Sequence, residues 1–339
     1  MKIALCHHWS ISYGGGGEKW LRNLAYWLKR RGHEVAIYAL PFRFRGKLQV
    51  DEEEFVRGIP YKEAWVHWID ADVSYMVYVP LIKHVMRCRC PKVAGIHSQL
   101  FYLRKRPPTK YGIPEISAFY AYKLFGTLDL SAFDAVHIIN NAFHVPHRRL
   151  YYIPNFIDTS VYTPKKEKNE NFTVLFVGRA VWQKGWDTFL RIASKIRKRI
   201  DDIHIWWVGG LCNSSAIEGL GYVNDDEKMA EIYSSAHVML NLSRFDLFPL
   251  SIIESLACNT PVLTTPIKAH KYLYVPLLYA KNTEEFVNKI VWLYKLHKKD
   301  EYDDFLTKMR LVERVKKYDV SVILPKIEDM LHEVANTDL

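Results

Sequence analysis

Four side chains in the second half of this 339-residue chain have the types and spacing to handle a phosphorylated, hydroxyl-rich ligand. Arg179 and Lys184 lie five positions apart, directly after the apolar run Val174-Leu175-Phe176-Val177-Gly178. Arginine offers a bidentate fork and lysine a point charge, a combination suited to a diphosphate. Taken alone, such a pair reads more readily as two solvated surface charges. Asp246 and Glu254 lie eight positions apart, across a loop that runs into a helical pattern. Glu254 falls among Leu250, Ile253 and Ala257, and a carboxylate within an apolar helical face is costly without a partner. That partner is either the hydroxyls of a ligand or a structural hydrogen-bond network.

The first half carries a second signal, the run Gly14-Gly15-Gly16-Gly17. Glycine tolerates positive φ and lets backbone N–H groups approach an anion, and a helix N-terminus behind it adds a positive dipole end. The run matches neither G-x-G-x-x-G nor a P-loop. By itself it reads equally well as a flexible turn.

These residues need elements to position them. Lys2 to His8 reads as a short strand, Glu18 to Arg31 as a helix closed by Gly32, and Glu34 to Leu40 as a second strand. That is a βαβ unit. Further strands are predicted at Val73 to Val79, Val93 to His97 and Ala135 to Ile139, with helices at Leu81 to Arg89 and Glu115 to Phe125. The alternation indicates a doubly wound parallel sheet. After polar, lysine-rich Thr163 to Asn171, a second series begins. Strands Phe172 to Val177, Ile203 to Val208, His237 to Leu240 and Pro261 to Thr264 alternate with helices Trp186 to Arg199, Asp225 to Ser234 and Leu250 to Ala257. Residues 283–298, 301–317 and 320–335 read as a helical tail. In a parallel α/β sheet, ligands bind beyond the carboxyl ends of the strands, which is where Arg179 and Lys184 would project.

Composition removes several classes. At 49% hydrophobic and 25% charged, the chain is globular, and its length fits two domains. No apolar run approaches the roughly 18–20 residues that span a bilayer, and the N-terminus lacks the features of a secretory signal, so a cytoplasmic address is expected. Cys6, Cys88, Cys90, Cys212 and Cys258 are odd in number and scattered, which favours reduced thiols. Cys88-Arg89-Cys90 has no second ligand pair at zinc spacing.

With these motifs in hand, the chain resembles the family 4 glycosyltransferases of the GT-B fold. Gly178-Arg179, Lys184-Gly185-Trp186-Asp187, the Asp246-x7-Glu254 pair and Pro261-Val262 match the family's second-domain motifs in order, and Pro154-Asn155-Phe156-Ile157-Asp158 resembles its interdomain junction. Tyr233-Ser234-Ser235-Ala236-His237-Val238 resembles the segment before the acidic motif. Asp246 stands where the family usually has glutamate, Leu247 where a glycine follows it, and Phe156 where the junction has glycine. The likeness covers about residues 150–265 well and the first half only through Gly14 to Glu18 and His97.

The resemblance implies two Rossmann-like domains facing across a cleft. Residues 1–157 would bind the acceptor and 158–318 the nucleotide-sugar donor, while a C-terminal helix at 319–339 would cross back to the first domain. It implies a retaining, metal-independent enzyme that moves a sugar from a UDP- or GDP-sugar to a lipid-linked or glycan hydroxyl, without a cofactor. Arg179 and Lys184 would hold the diphosphate and offset charge building on the leaving group. Glu254 would accept from the ribose, and Asp246 would contact the transferred sugar. Gly15, Gly16, Gly17 and the backbone of Phe248, Leu250 and Ser251 would complete the donor site. His97 would bind the donor sugar or position the acceptor.

The formal charge, 47 − 37 = +10, has an uneven source. Residues 1–155 hold 22 Lys+Arg against 12 Asp+Glu, whereas residues 156–339 hold 25 of each. Arg104, Lys105, Arg106 and Lys110, interleaved with aromatics, have the composition of a segment that lies on an anionic membrane or grips an acceptor phosphate. The competing reading is a solvated loop. A sugar-nucleotide epimerase fits the spacings less well. A catalytically weak nucleotide-sugar- or glycan-binding protein is the alternative prompted by Asp246. A basic nucleic-acid-binding protein would leave the glycine run and the acidic pair without a purpose.

Overall fold

The computed structural model describes residues 1–13, 16–42, 56–98, 102, 113–214 and 216–336. They form two units, Met1–Asn155 with Ser321–Leu339, and Phe156–Val320.

In the first unit, β1 (Lys2–His7), β2 (Glu34–Ala39), β3 (Tyr61–Glu63), β5 (Val73–Val77), β7 (Lys92–Ile96), β8 (Ala135–Ile138) and β9 (Leu150–Tyr152) make a seven-stranded parallel sheet in the order β3-β2-β1-β5-β7-β8-β9. The central strands are short and almost wholly buried, as strands covered on both faces must be. The helix Gly16–Arg30 turns Trp20, Leu21, Leu24, Ala25 and Leu28 toward the core at helical spacing, and the chain leaves it through Gly32 at φ +89°. Residues of the C-terminal helix Val320–Ala335 complete this unit. Glu328 accepts from the His33 ring at 2.9 Å, and Arg149 Nη2 donates to Glu333 at 2.9 Å.

The second unit repeats the plan. Here β10 (Thr173–Val177), β11 (His204–Val208), β12 (Asn213–Ser214), β13 (Ile217–Gly219), β14 (Val238–Asn241), β15 (Val262–Thr264) and β16 (Leu278–Tyr279) are ordered β12-β13-β11-β10-β14-β15-β16. All pairings are parallel except β12 with β13. Phe176 stacks on Phe189 of the helix Trp186–Arg197 at 4.5 Å, both fully buried. A side chain of that size contributes about 1.5–3 kcal/mol by leaving water. Both sheets are doubly wound. From β10 the chain moves outward to β11 and β13, then returns to the other side as β14, so β10 and β14 flank the switch point.

Local signals place several ends where the sequence predicts them. The helices Leu250–Ala257, Thr283–Lys298 and Val320–Ala335 match the periodicity, and Asn282 caps the second of these by accepting from Glu285 N at 3.0 Å.

Three expectations are corrected. The helix expected at 81–89 is a single turn, Ile82–Val85, entered through Leu81 in the left-handed region at φ +68°. It gives way to β6 (Met86–Cys88), which pairs with β4 (His67–Ile69) in a separate two-stranded sheet. The run 301–317 is broken at Arg310, also left-handed at φ +51°, into Tyr302–Met309 and Leu311–Val315. Cys88 and Cys90, expected as free thiols, are disulfide-bonded, with Cα atoms 5.3 Å apart where the chain turns out of β6. Cys6, Cys212 and Cys258 are free.

Candidate functional site

The second unit gathers its candidate residues on loops leaving the carboxyl ends of β10 and β14. After β10 the chain passes Gly178, whose carbonyl accepts from the Trp207 ring N–H at 2.8 Å. A Cβ on neighbouring Gly209 would come within 2.2 Å of that same carbonyl. The crossing of the two loops therefore requires glycine at 209. Arg179 follows, half-buried, and no side chain among the described residues pairs with its guanidinium.

Residues Trp182–Lys184 form one 3-10 turn, and Gly185 at φ +77° starts the helix Trp186–Arg197. A Cβ there would meet the Leu242 carbonyl at 2.4 Å. The close approach seats this turn against the loop after β14. Lys184 Nζ donates to Asp246 Oδ2 at 2.8 Å across that contact. Burial resists ionisation of Asp246, but the Lys184 ammonium, its hydrogen bond and the Leu247 backbone N–H outweigh it, holding the carboxyl below its usual range. Lys184 and Asp246 thus hold each other in place across the two loops.

Arg244 locks the same two loops. Its guanidinium donates to Asp187 Oδ1 at 2.7 Å and Oδ2 at 2.8 Å, lies over the Trp182 ring at 4.6 Å, and its backbone N–H donates to the Gln183 carbonyl at 2.9 Å. The hydrogen bond from Arg244 depresses the Asp187 pKa. Sequence reasoning marked Asp187 only as a motif letter and passed over Arg244. The available signal was an arginine two residues before Asp246.

Glu254 sits on the helix Leu250–Ala257 and accepts from the Tyr233 hydroxyl at 2.8 Å. Of the two partners foreseen for it, the structural network is present. Pro249, at the N-cap of this helix before Leu250 and Ser251, offers no side-chain cap. Ser251 Oγ lies 3.5 Å from Asn241 Nδ2, and Phe248 is buried edge-on to Tyr318 at 5.3 Å.

The remaining candidates belong to the first unit. Gly16 and Gly17 open the helix Gly16–Arg30 with negative φ. An added Cβ would meet nothing at Gly16 and only His7 Nε2 at 3.6 Å at Gly17, so neither position demands glycine for its conformation. Gly15, Arg104, Lys105, Arg106 and Lys110 lie outside the described residues. His97, just beyond β7, is half-buried, packs on Trp20 with ring centroids 4.5 Å apart, and bonds the Tyr75 hydroxyl through Nε2 at 2.8 Å. Burial, with His137 and His7 adding repulsion, holds its imidazole well below the ordinary value, hence neutral at pH 7.

Among the described residues one group has ligand atoms close enough together for a metal. It comprises His33, Glu328 and His332, within 4.8 Å, and its Glu328 carboxylate already bonds His33 and Arg31. None of the candidate donor-site residues belongs to it.

Residues 171–296 match the family model described as Glycosyl transferases group 1. The chain is 23% identical over 157 residues to the alpha-galactosylglucosyldiacylglycerol synthase of Streptococcus pneumoniae, a match covering 38% of this chain and 41% of that protein. It is 22% identical over 299 residues to the phosphatidyl-myo-inositol mannosyltransferase of Propionibacterium freudenreichii, covering 79% and 78%. Its fold is similar to that of Anabaena HepE, solved in complex with UDP and glucose, at a TM-score of 0.72, 14% identity and coverage of 98% and 100%.

Proposed function

We propose that this chain, a member of the group 1, family 4 glycosyltransferases with the GT-B fold, transfers a sugar from a nucleotide-sugar donor to the hydroxyl of a lipid-linked or glycan acceptor. In that reaction the acceptor oxygen forms a bond to the anomeric carbon, the bond from that carbon to the diphosphate breaks, and the acceptor proton is released. Negative charge accumulates on the departing nucleoside diphosphate. The observation that carries the reading is Arg179, without an ion partner among the described residues, in the same segment after β10 as Lys184, which pairs with Asp246, at the carboxyl end of the strand that borders the sheet's switch point.

Arg179 supplies a bidentate contact to the diphosphate and Lys184 a second positive charge, which together offset the leaving-group charge without a metal. The start of the helix Leu250–Ala257, whose N-cap Pro249 makes no side-chain cap, offers backbone N–H groups with Phe248, Leu250 and Ser251 to the same phosphates. Asp246, held ionised, accepts from hydroxyls of the transferred sugar, and Glu254 accepts from the ribose. No carboxylate is assigned as a nucleophile, and transfer proceeds with retention. His97, on the first unit, is assigned to a hydroxyl of the bound sugar or acceptor.

A UDP-sugar donor is favoured by the UDP and glucose bound to the similar HepE structure. A lipid acceptor is favoured by the names of both relatives, a diacylglycerol glycolipid synthase and a phosphatidylinositol mannosyltransferase. No helix among the described residues is long and apolar enough to cross a membrane. The excess positive charge of residues 1–155 suits peripheral docking on the cytoplasmic face of an anionic membrane.

The test is release of free nucleoside diphosphate from a panel of UDP- and GDP-sugars, with lipid and glycan acceptors supplied. At least one donor is turned over, and Arg179→Ala lowers kcat roughly 100- to 1000-fold. Neither binding nor turnover of any donor would end this reading.

A further inference from the structure

Three strands of the first unit carry a set of aromatic and imidazole groups that the donor chemistry does not use. Tyr75 lies in β5, Gly95 in β7 and His137 in β8, and the pairing sets Gly95 directly beside His137. The Tyr75 hydroxyl reaches over the middle strand to His137 Nδ1 at 2.7 Å, and also contacts His97 Nε2 at 2.8 Å. It can do so because residue 95 has no side chain. A Cβ there would fall 2.0 Å from the Tyr75 oxygen and 2.4 Å from its ring carbon. Neither conformation nor turn geometry asks for glycine inside this strand, since its φ is not positive.

The protons in this cluster follow from its far end. His137 Nε2 lies 2.7 Å from the Ile153 carbonyl, which can only accept, so Nε2 carries the hydrogen. Burial keeps the His137 pKa near 4, so its ring is neutral and Nδ1 is a bare acceptor. The Tyr75 hydroxyl must donate to it. Tyr75 and His137 are both fully buried, where unpaired polar groups are costly, which strengthens each assignment. With its hydrogen spent on His137, the Tyr75 oxygen is left to accept, and His97 Nε2 must be the donor. His97 Nδ1 is then unprotonated, and no described residue bonds it.

We propose that Tyr75, His137 and Gly95 form a positioning relay that fixes His97 as the Nε2–H tautomer and leaves its Nδ1 as an acceptor for the hydroxyl of a bound sugar or acceptor. The relay runs Ile153 carbonyl, His137, Tyr75, His97, and each link has one permitted hydrogen direction. Trp20 covers it, with ring centroids 5.5 Å from Tyr75 and 4.5 Å from His97, restricting rotation of the His97 ring. Assigning Nδ1 to a substrate hydroxyl rests on the proposed transferase activity. The tautomer itself does not.

Histidine-labelled protein examined by long-range proton–nitrogen correlation NMR tests the relay without any turnover, with His97 signals assigned by their loss in His97→Gln. The wild type shows His97 protonated on Nε2 and bare on Nδ1. Tyr75→Phe, which removes only the hydroxyl, gives a mixture of tautomers and lowers kcat roughly 10- to 100-fold as loss of an orienting partner does. Gly95→Ala reproduces the tautomer mixture by displacing the hydroxyl. A wild-type His97 protonated on Nδ1, or a Tyr75→Phe spectrum identical to wild type, would overturn the relay. If no donor is turned over by the wild type, the transferase reading falls while the spectra still decide the tautomer.

Discussion

Both carboxylate oxygens of Asp187 accept from the guanidinium of Arg244, at 2.7 and 2.8 Å, joining residues 57 positions apart in the chain. The pair belongs to the two loops that also present Lys184 and Asp246. It is partly exposed, so its direct contribution to stability is small, in the range of about 0–1 kcal/mol for such pairs. Its consequence is geometric. Replacing Arg244 by Lys keeps the charge but removes the planar fork. Arg244→Lys is expected to weaken binding of a nucleoside diphosphate roughly tenfold by isothermal titration, with a melting temperature within a degree or two of wild type. Unchanged affinity would remove Arg244 from the positioning of this site.

The Lys184–Asp246 pair makes a pH-dependent prediction. The carboxyl of Asp246 is held below its ordinary range in the folded protein. Its contribution to stability is therefore complete above the unfolded value, near pH 4, and is lost as pH falls through the lower native value. In Lys184→Met the ammonium is gone and burial pushes the carboxyl up instead. The variant should be less stable by about 1–3 kcal/mol at pH 7 in urea unfolding, and the gap should narrow at pH 4. An equal gap at both pH values would mean that the loss comes from packing rather than charge.

Gly185 is held by two independent constraints, a left-handed φ of +77° and the Leu242 carbonyl 2.4 Å from where a Cβ would stand. Gly185→Ala should cost at least about 1–3 kcal/mol, read as a melting temperature several degrees lower. Gly16→Ala, where an added Cβ meets nothing, should melt close to wild type. Equal melting of both variants would contradict this account of the turn.

Arg104, Lys105 and Arg106 carry the membrane expectation. If they dock the chain on anionic lipid at about 1 kcal/mol per cation, the triple alanine variant should sediment less with phosphatidylglycerol vesicles than wild type while binding nucleotide equally. Unchanged sedimentation would refute the membrane version of their role.

Much of the fold was legible because local rules act within a few residues. The helical pattern at 18–31, the glycine stop at 32 and the helical pattern at 283–298 each concern neighbours in the chain, and the elements stand where those rules put them. Reading failed where a local rule had a rival. Residues 81–89 have helical composition, yet their end pairs with His67–Ile69 as a strand, and a ladder partner 19 residues away is invisible to periodicity.

For the candidate site, the sequence alone determined which side chains carry charge near strand ends: Arg179, Lys184, Asp246 and Glu254. Their chemistry follows from type and spacing. What they bond to was decided by the tertiary structure. Asp246 meets Lys184 because β10 and β14 are neighbours at the switch point, and Glu254 meets Tyr233 because helices 226–235 and 250–257 bring them together. The Tyr75, His137 and His97 contacts exist only because a sheet sets β5, β7 and β8 side by side, with a glycine in the middle strand. Hydrogen-bond direction depends on what lies at the far end of such a chain of contacts. That end, the Ile153 carbonyl, is 56 residues from His97 and beside the cluster only in the folded protein.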